Sequence, residues 1–118
     1  EFLKENPKIK LIREDIERAN YPFLIALIFG STIKGNSTNK SDIDICIISD
    51  NLKKNKEIIS NLRLLPQKIE INQFTTEEFE SMLKTRENNL AKEIIKNNII
   101  LSGIENYYTL ISKWMKKE

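Results

Sequence analysis

The stretch IFGSTIKGNSTNKSDIDICII, residues 28–48, contains the features that decide how this chain folds. Apolar residues begin and end it, two of the chain's three glycines lie within it, and Asp42 and Asp44 stand one residue apart among isoleucines. An apolar run that ends at Gly30, followed by a second run with alternating isoleucines, is typical of two buried strands joined by a polar loop. The stretch therefore predicts a sheet in which one strand carries two carboxylates.

Composition narrows the classes of function. The 118 residues are 40% apolar and 31% charged, which favours one small globular domain. No apolar run has the length of a membrane span and no signal peptide is visible, so with the single cysteine, Cys46, we expect a cytoplasmic protein. The absence of histidine excludes His-based triads and His metal ligands, so any metal must bind oxygen atoms, as Mg²⁺ does. The net charge is only +2, and the lysines that gather at 53–56 and 113–117 are typical of a solvated surface, whereas nucleic-acid binding would need a denser basic stripe with interleaved aromatic residues, so we do not expect nucleic acid as a partner.

The rest of the chain predicts helices packed on a small mixed sheet, an α/β (α+β) fold in one domain over residues 1–118. Strands are predicted at 23–29, 42–48, 68–74 and 99–101. Helices are predicted from Pro7, from a cap at Asp50 or Asn51 up to Pro66, from a Thr75–Glu78 capping box, after a break at 86–89, and over 104–117. The last helix carries Tyr107, Tyr108, Ile111, Trp114 and Met115 at helical spacing, and we expect this face to be core or partner surface. The apolar residues expected to pack inward from the other helices are Ile9, Ile12, Ile16, Ala19, Ile58, Ile59, Leu62, Leu65, Phe79, Met82, Leu83, Leu90, Ala91, Ile94 and Ile95.

The two aspartates are the first candidate functional residues. Alternation along a strand places Asp42 and Asp44 on the same face, opposite the isoleucines. Two carboxylates about 4 Å apart repel by about 4 kcal/mol at an effective dielectric constant of about 20, and a divalent cation offsets that repulsion. A single carboxylate can also bridge the two metal ions used in phosphoryl and nucleotidyl transfer. A lone D-I-D is equally typical of an exposed strand edge, so the pattern is informative only with its neighbours.

The Gly-Ser pair is the second candidate site. A strand that ends at Gly30 and enters a helical turn at Ser31, Thr32 and Ile33 exposes backbone N–H groups, which bind phosphate. Gly30 lets the backbone approach closely because it has no Cβ, Ser31 adds a hydroxyl, and Lys34 adds an ammonium group. Most isolated Gly-Ser pairs are turns, but the combination with S-D-x-D predicts that Gly30, Ser31, Thr32 and Lys34 bind a nucleotide.

Together, the two blocks resemble the signature of the DNA polymerase beta-like nucleotidyltransferase superfamily, in particular the minimal nucleotidyltransferases that accompany HEPN-domain proteins in toxin–antitoxin modules. That signature is G-S-x-x-R-G followed by S-D-x-D and an apolar residue. Lys34 stands where the family has arginine, so the charge is kept while the bidentate fork is lost. The resemblance extends less specifically over residues 22–103. The matching residues are Gly30, Ser31, Gly35, Ser41, Asp42, Asp44 and Ile45.

This resemblance implies a polymerase beta-like nucleotidyltransferase core with a third carboxylate on a neighbouring strand. By position this residue is Glu70, where family members more often have aspartate. The resemblance implies that Asp42, Asp44 and Glu70 are catalytic and bind two Mg²⁺ ions, and that Glu70 is the general base for a hydroxyl that attacks the α-phosphate of ATP. The implied acceptor is a tyrosine of a HEPN toxin. We expect the bare core to complete its site with this partner or with a second copy of itself.

Two functions without catalysis remain open at this point. The domain would neutralise a partner by contact alone if the apolar face of its last helix were the docking surface. Alternatively, it would be a regulatory sensor that binds ATP without turnover. Replacing Asp42 and Asp44 together by asparagine separates these functions from catalysis, because contact alone does not need the carboxylates.

Overall fold

A computed structural model describes residues 7–19, 21–30 and 42–115. In this part of the chain, five helices pack on a four-stranded sheet, which confirms the expected α/β fold. The strands are β1 (Ile25–Phe29), β2 (Ile43–Ile48), β3 (Ile69–Phe74) and β4 (Ile99–Ser102). The helices are α1 (Pro7–Arg18), α2 (Leu52–Leu62), α3 (Thr76–Lys84), α4 (Leu90–Lys96) and α5 (Ile104–Met115).

The sheet is mixed and has the strand order β3-β2-β1-β4. β1 runs antiparallel to both β2 and β4, whereas β2 and β3 are parallel. All five residues of β1 are buried, which explains why this strand reads as a continuous apolar run. The register places Asp44 on β2 directly between Phe29 on β1 and Glu70 on β3.

The alternation predicted for β2 separates two cores. Ile43, Ile45 and Ile47 join a cluster with residues of α1 and α2, while Cys46 and Ile48 join a second cluster with α3, α4 and α5. Cys46 is 0% exposed, and burial raises the pKa of its thiol to about 12. Cys46 is therefore a core residue and not a reactive thiolate. Because Asp44 shares its face of β2 with Cys46, the Asp44 side chain projects to the side of the second core.

Polar contacts fix the helices that follow β2 and β3. Asn51, one of the two predicted caps, accepts a hydrogen bond from the Lys54 N–H at the start of α2. Asp50 instead accepts bonds from the backbone N–H and the hydroxyl of Thr76, at 2.8 and 2.9 Å. Thr75 begins α3 with the predicted capping box. The end of β2 is thereby tied to the first turn of α3.

Element boundaries differ from the prediction by more than one residue at two points. The strand predicted from residue 23 begins at Ile25, because the chain turns at residues 22 and 23 and leaves Phe23 68% exposed. The helix expected to continue to Pro66 ends at Leu62, and turns follow it in which the N–H groups of Leu64 and Leu65 bond to carbonyls three residues earlier. The break at 86–89 is confirmed, because α3 ends before it and α4 begins after it.

The last helix buries part of its apolar face. Tyr107, Leu110 and Ile111 are buried, but Tyr108 and Met115 are 55% and 58% exposed, so of the two roles expected for this face, core or partner surface, these two residues have the exposure of a surface. They lie on the flank of the helix that turns away from the sheet. None of the helices in the described residues is long and apolar enough to cross a membrane.

Candidate active site

The candidate site lies where β1 ends and where β2 and β3 begin. Register partners on neighbouring strands project to the same face, so the carboxylates of Asp44 and Glu70 stand side by side. Gly30 directly follows Phe29, the last residue of β1, and Phe29 is the register partner of Asp44. A cavity of about 300 Å³ opens here on the side of the second core. Its lining residues are Phe29, Gly30, Asp44, Glu70, Asn72, Leu90, Glu93 and Asn97.

Asp44 and Glu70 form a pair of adjacent carboxyl groups on register-partner residues. The pKa of Asp44 is raised from 3.8 to about 6, first by burial, then by its hydrogen bond with Glu70, and then by the negative charges of Glu70 and Asp42. The pKa is raised because the charged form of Asp44 is unfavourable beside these neighbouring negative charges. A cation that binds between adjacent carboxyl groups would offset this repulsion.

Gly30 makes room for the Asp44 carboxylate. Its φ of +83° lies in the left-handed region, which residues with a side chain rarely adopt. A Cβ built on Gly30 would overlap Asp44 Oδ2. The sequence predicted Gly30 for close approach of a phosphate, and the structure adds a second requirement that concerns the carboxylate. The glycine is therefore part of the geometry of the carboxyl pair as well as of the turn.

The donor set at this corner suits a hard divalent cation. The described lining of the cavity includes three carboxylates, Asp44, Glu70 and Glu93, so a divalent cation would offset the repulsion between these groups and an anionic nucleotide. Asp42 is exposed just before β2, and its charge contributes to the raised pKa of Asp44. Among the described residues, no three acidic or cysteine side chains are already placed around one metal position. The assignment of Asp42, Asp44 and Glu70 as joint metal ligands stays a prediction.

Most of the predicted phosphate-binding residues cannot be placed. Gly30 lies at the cavity, whereas Ser31, Thr32, Lys34 and Gly35 fall outside the described residues. Their role in nucleotide binding stays a prediction from the sequence.

Helix α4 brings polar residues to the cavity that the sequence analysis missed. Glu93 and Asn97 lie four positions apart, on the side of the helix that faces the end of β1. The sequence analysis assigned only the apolar residues of this helix, which pack in the second core. A polar pair at i and i+4 is a weak signal by itself, because most such pairs face solvent. Glu93 and Asn97 line the cavity only because α4 packs next to Gly30.

The raised pKa of Asp44 predicts a stability effect in metal-free protein. The folded pKa lies above the unfolded one, so the protonated group favours folding below pH 4, and this contribution is lost as the pH rises through about 6. Asp44→Asn removes the charge, so with EDTA present at about pH 7.5 the variant should be more stable than wild type by about 1 kcal/mol, a value reduced for solvent screening. Urea unfolding followed by circular dichroism measures the difference.

The pH dependence provides the control for this prediction. At about pH 4.5 wild-type Asp44 is protonated in the folded protein, so the advantage of Asp44→Asn should shrink towards zero. A variant that is less stable than wild type at both pH values, or more stable by the same amount at both, would contradict the carboxyl-pair assignment.

The fold and the cavity together define a class of protein. A mixed sheet that brings a glycine turn and adjacent carboxylates to one cavity has the elements needed for metal-dependent transfer of a nucleotidyl group. A family model described as Polymerase beta, Nucleotidyltransferase matches residues 14–106. The chain belongs to this family, whose members typically use a nucleotide and a metal ion.

Solved structures support the fold. One that the chain resembles is described as the crystal structure of a toxin–antitoxin with AMP-PNP. The two share 16% sequence identity and a TM-score of 0.51, over 89% of this chain and 85% of the other. At this identity the similarity shows a common fold. No curated protein sequence matches the chain.

Proposed function

We propose that this nucleotidyltransferase transfers AMP from ATP to a hydroxyl group of a partner protein, and that it acts as an antitoxin by modifying a tyrosine of a HEPN-domain toxin. The observation that carries the proposal is the carboxyl pair of Asp44 and Glu70 beside Gly30. Family membership supports nucleotidyl transfer, and the similar toxin–antitoxin structure with an ATP analogue supports the choice of partner and nucleotide.

The size of the cavity supports an acceptor that comes from outside. At about 300 Å³ it is at the lower limit for ligand sites, which suits the reacting phosphates better than a whole nucleotide together with an acceptor. Glu70 is exposed at its rim, where an incoming hydroxyl can reach it. A partner that presents its own side chain would complete the site.

In the proposed reaction, the acceptor hydroxyl attacks the α-phosphorus of ATP. A new oxygen–phosphorus bond forms, the bond between the α-phosphorus and the bridging oxygen breaks, and pyrophosphate leaves. The carboxylate of Glu70 accepts the proton of the attacking hydroxyl. Gly30 lets the phosphate approach the backbone, and Asp44 and Asp42 supply oxygen ligands on the adjacent strand. Magnesium held by Asp42, Asp44 and Glu70 would neutralise the charge of the triphosphate.

Labelled ATP tests this function. The chain and Mg²⁺ are incubated with a candidate HEPN-domain partner and with ATP that is labelled at either the α- or the γ-phosphate. Nucleotidyl transfer predicts that the α-label becomes attached to the partner and that the γ-label leaves in pyrophosphate. Attachment of the γ-label would indicate a kinase, and a stable complex with no label on the partner would contradict the proposed modification.

One observation favours a second candidate function, in which the chain neutralises its partner by binding it without modifying it. Helix α5 exposes Ile104, Tyr108 and Met115, which are all more than half exposed. Their spacing places Ile104, Tyr108 and Met115 along one stripe of the helix, and an apolar stripe of this kind suits a partner surface. If contact alone neutralises the toxin, the Asp42→Asn, Asp44→Asn double variant should still neutralise it. If modification is needed, the double variant should bind without neutralising.

A further inference from the structure

A second cleft lies on the opposite face of the sheet from Asp44. It has a volume of about 650 Å³ and runs between α2 and β3. Lys53, Lys56 and Arg63 line it together with the side chains of Ile59 and Ile71. Leu52, which is 64% exposed, stands at one end. We call it the basic cleft, formed by Leu52, Lys53, Lys56, Ile59, Ser60, Arg63, Ile71 and Gln73.

The basic cleft carries positive charge that the described part of the chain does not neutralise. Among the described residues, no aspartate or glutamate belongs to its lining. The only acidic residue of α2, Glu57, forms an ion pair with Lys54 at 3.6 Å, on another side of the helix. No ion pair among the described residues involves the three cations of the cleft. The three positive charges lie beside the apolar side chains of Ile59 and Ile71, so the cleft favours a ligand that is both acidic and partly apolar.

The same cleft adjoins a free sheet edge. Within the described residues β3 pairs only with β2, so one of its edges has no strand beside it. The carbonyls of Lys68 and Phe74 accept bonds from β2, at 2.9 and 3.0 Å. Because hydrogen-bonding direction alternates along a strand, the even-numbered residues of β3 bond to β2. The backbone groups of Ile69, Ile71 and Gln73 therefore point outward.

We propose that β3 and the basic cleft bind an extended acidic segment of a partner protein, which joins the sheet as an additional strand. Its backbone pairs with the outward groups of Ile69, Ile71 and Gln73, as in other cases of strand addition. Alternate side chains of the segment then face the cleft, where carboxylates meet the lysines and Arg63, and an apolar side chain covers Ile71. The candidate active site stays open because it lies on the other face.

A protein strand fits this surface better than a nucleic acid does. A row of unpaired N–H and C=O groups matches another peptide backbone, whereas a phosphate chain has no donors for the carbonyls. The described lining of the cleft also contains no aromatic side chain on which a base can stack. The surface does not depend on the proposed chemistry, so its test is independent of nucleotidyl transfer.

Fluorescence anisotropy with a defined peptide tests the proposal. The probe is a labelled heptapeptide in which glutamate, valine and glutamate at alternate positions are separated by threonines. Saturable binding is expected, and it should weaken as salt rises. A peptide with lysines in place of the glutamates should not bind. Absence of saturable binding of the glutamate peptide, or tighter binding of a single-stranded oligothymidine, would overturn the proposal.

Two pairs of variants locate the binding. Arg63→Glu should lower the affinity about tenfold or more, while Lys10→Glu on α1 makes the same charge change elsewhere and should alter it less than about twofold. Gln73→Pro removes one outward N–H without removing a bond to β2, so it should abolish binding, whereas Gln73→Ser should retain it. Circular dichroism confirms folding. Retained binding in Gln73→Pro, or equal losses in Arg63→Glu and Lys10→Glu, would overturn strand addition at this edge.

Discussion

Replacing Asp44 by asparagine should lower the rate of nucleotidyl transfer at least about 10³-fold while leaving the domain folded. Asp44 is the carboxylate between Glu70 and Gly30, and its loss removes an oxygen ligand where charge must be neutralised in the transition state. A loss of about 4 kcal/mol of transition-state stabilisation corresponds to this factor. The initial rate of α-label transfer to the partner, measured at saturating Mg²⁺, provides the comparison with wild type.

Asp50→Asn is the matched control for Asp44→Asn. Asp50 lies just beyond the other end of β2 and hydrogen-bonds Thr76, so its change lowers stability somewhat but leaves the cavity intact. Its transfer rate per folded molecule should stay within about threefold of wild type. Because Asp44→Asn is also expected to be more stable than wild type without metal, inactivity cannot be assigned to unfolding. Substantial transfer by a folded Asp44→Asn variant would contradict the proposed site.

Alanine at Gly30 is the second change with a large expected effect. The added Cβ meets Asp44 Oδ2, and the positive φ adds strain of about 1 kcal/mol or more. The end of the Asp44 side chain can move aside, so the domain should fold. A displaced carboxylate is enough to lower the transfer rate about 10²-fold, because misplacement by about 1 Å has effects of that size. Transfer rates and urea unfolding should be measured on the same preparation.

Gly103→Ala is the control that distinguishes damage to the candidate active site from a loss of stability. Gly103 also has a positive φ, of +77°, but its Cβ would meet the backbone carbonyl of Leu24, which cannot move aside. This variant should lose about 3 kcal/mol of stability, and its remaining folded molecules should have nearly normal activity. If Gly30→Ala were as active as wild type, or if both glycine variants changed only stability, the role of Gly30 at the carboxyl pair would be contradicted.

The sequence was most informative where side-chain periodicity decides the structure. Alternation in residues 42–48 predicted the two faces of β2, and it placed Asp44 and Cys46 on the face where they are found. The capping box at Thr75 was equally predictable, because both of its hydrogen bonds lie within four residues. Glu70 was placed on β3 with the correct face, and the parallel register then brings it beside Asp44.

Features that depend on contacts between distant segments could not be predicted in this way. The position of β4 next to β1, and of α4 over the cavity, depends on packing, so Glu93 and Asn97 were missed. The basic cleft was likewise not predicted, since the lysines of α2 are typical of an ordinary solvent-exposed helix face. Tyr108 illustrates a related limit, because helical spacing predicts an apolar face but does not say how much of that face is buried.

A crystal structure with Mg²⁺ and an ATP analogue that has a methylene group between the α- and β-phosphates would test the central claim most directly, because this analogue cannot undergo the reaction. We predict magnesium bound to the carboxylates of Asp44 and Glu70, with the α-phosphate beside Gly30. A nucleotide bound elsewhere, for example in the basic cleft, with no magnesium on Asp44 and Glu70, would contradict this account of the site.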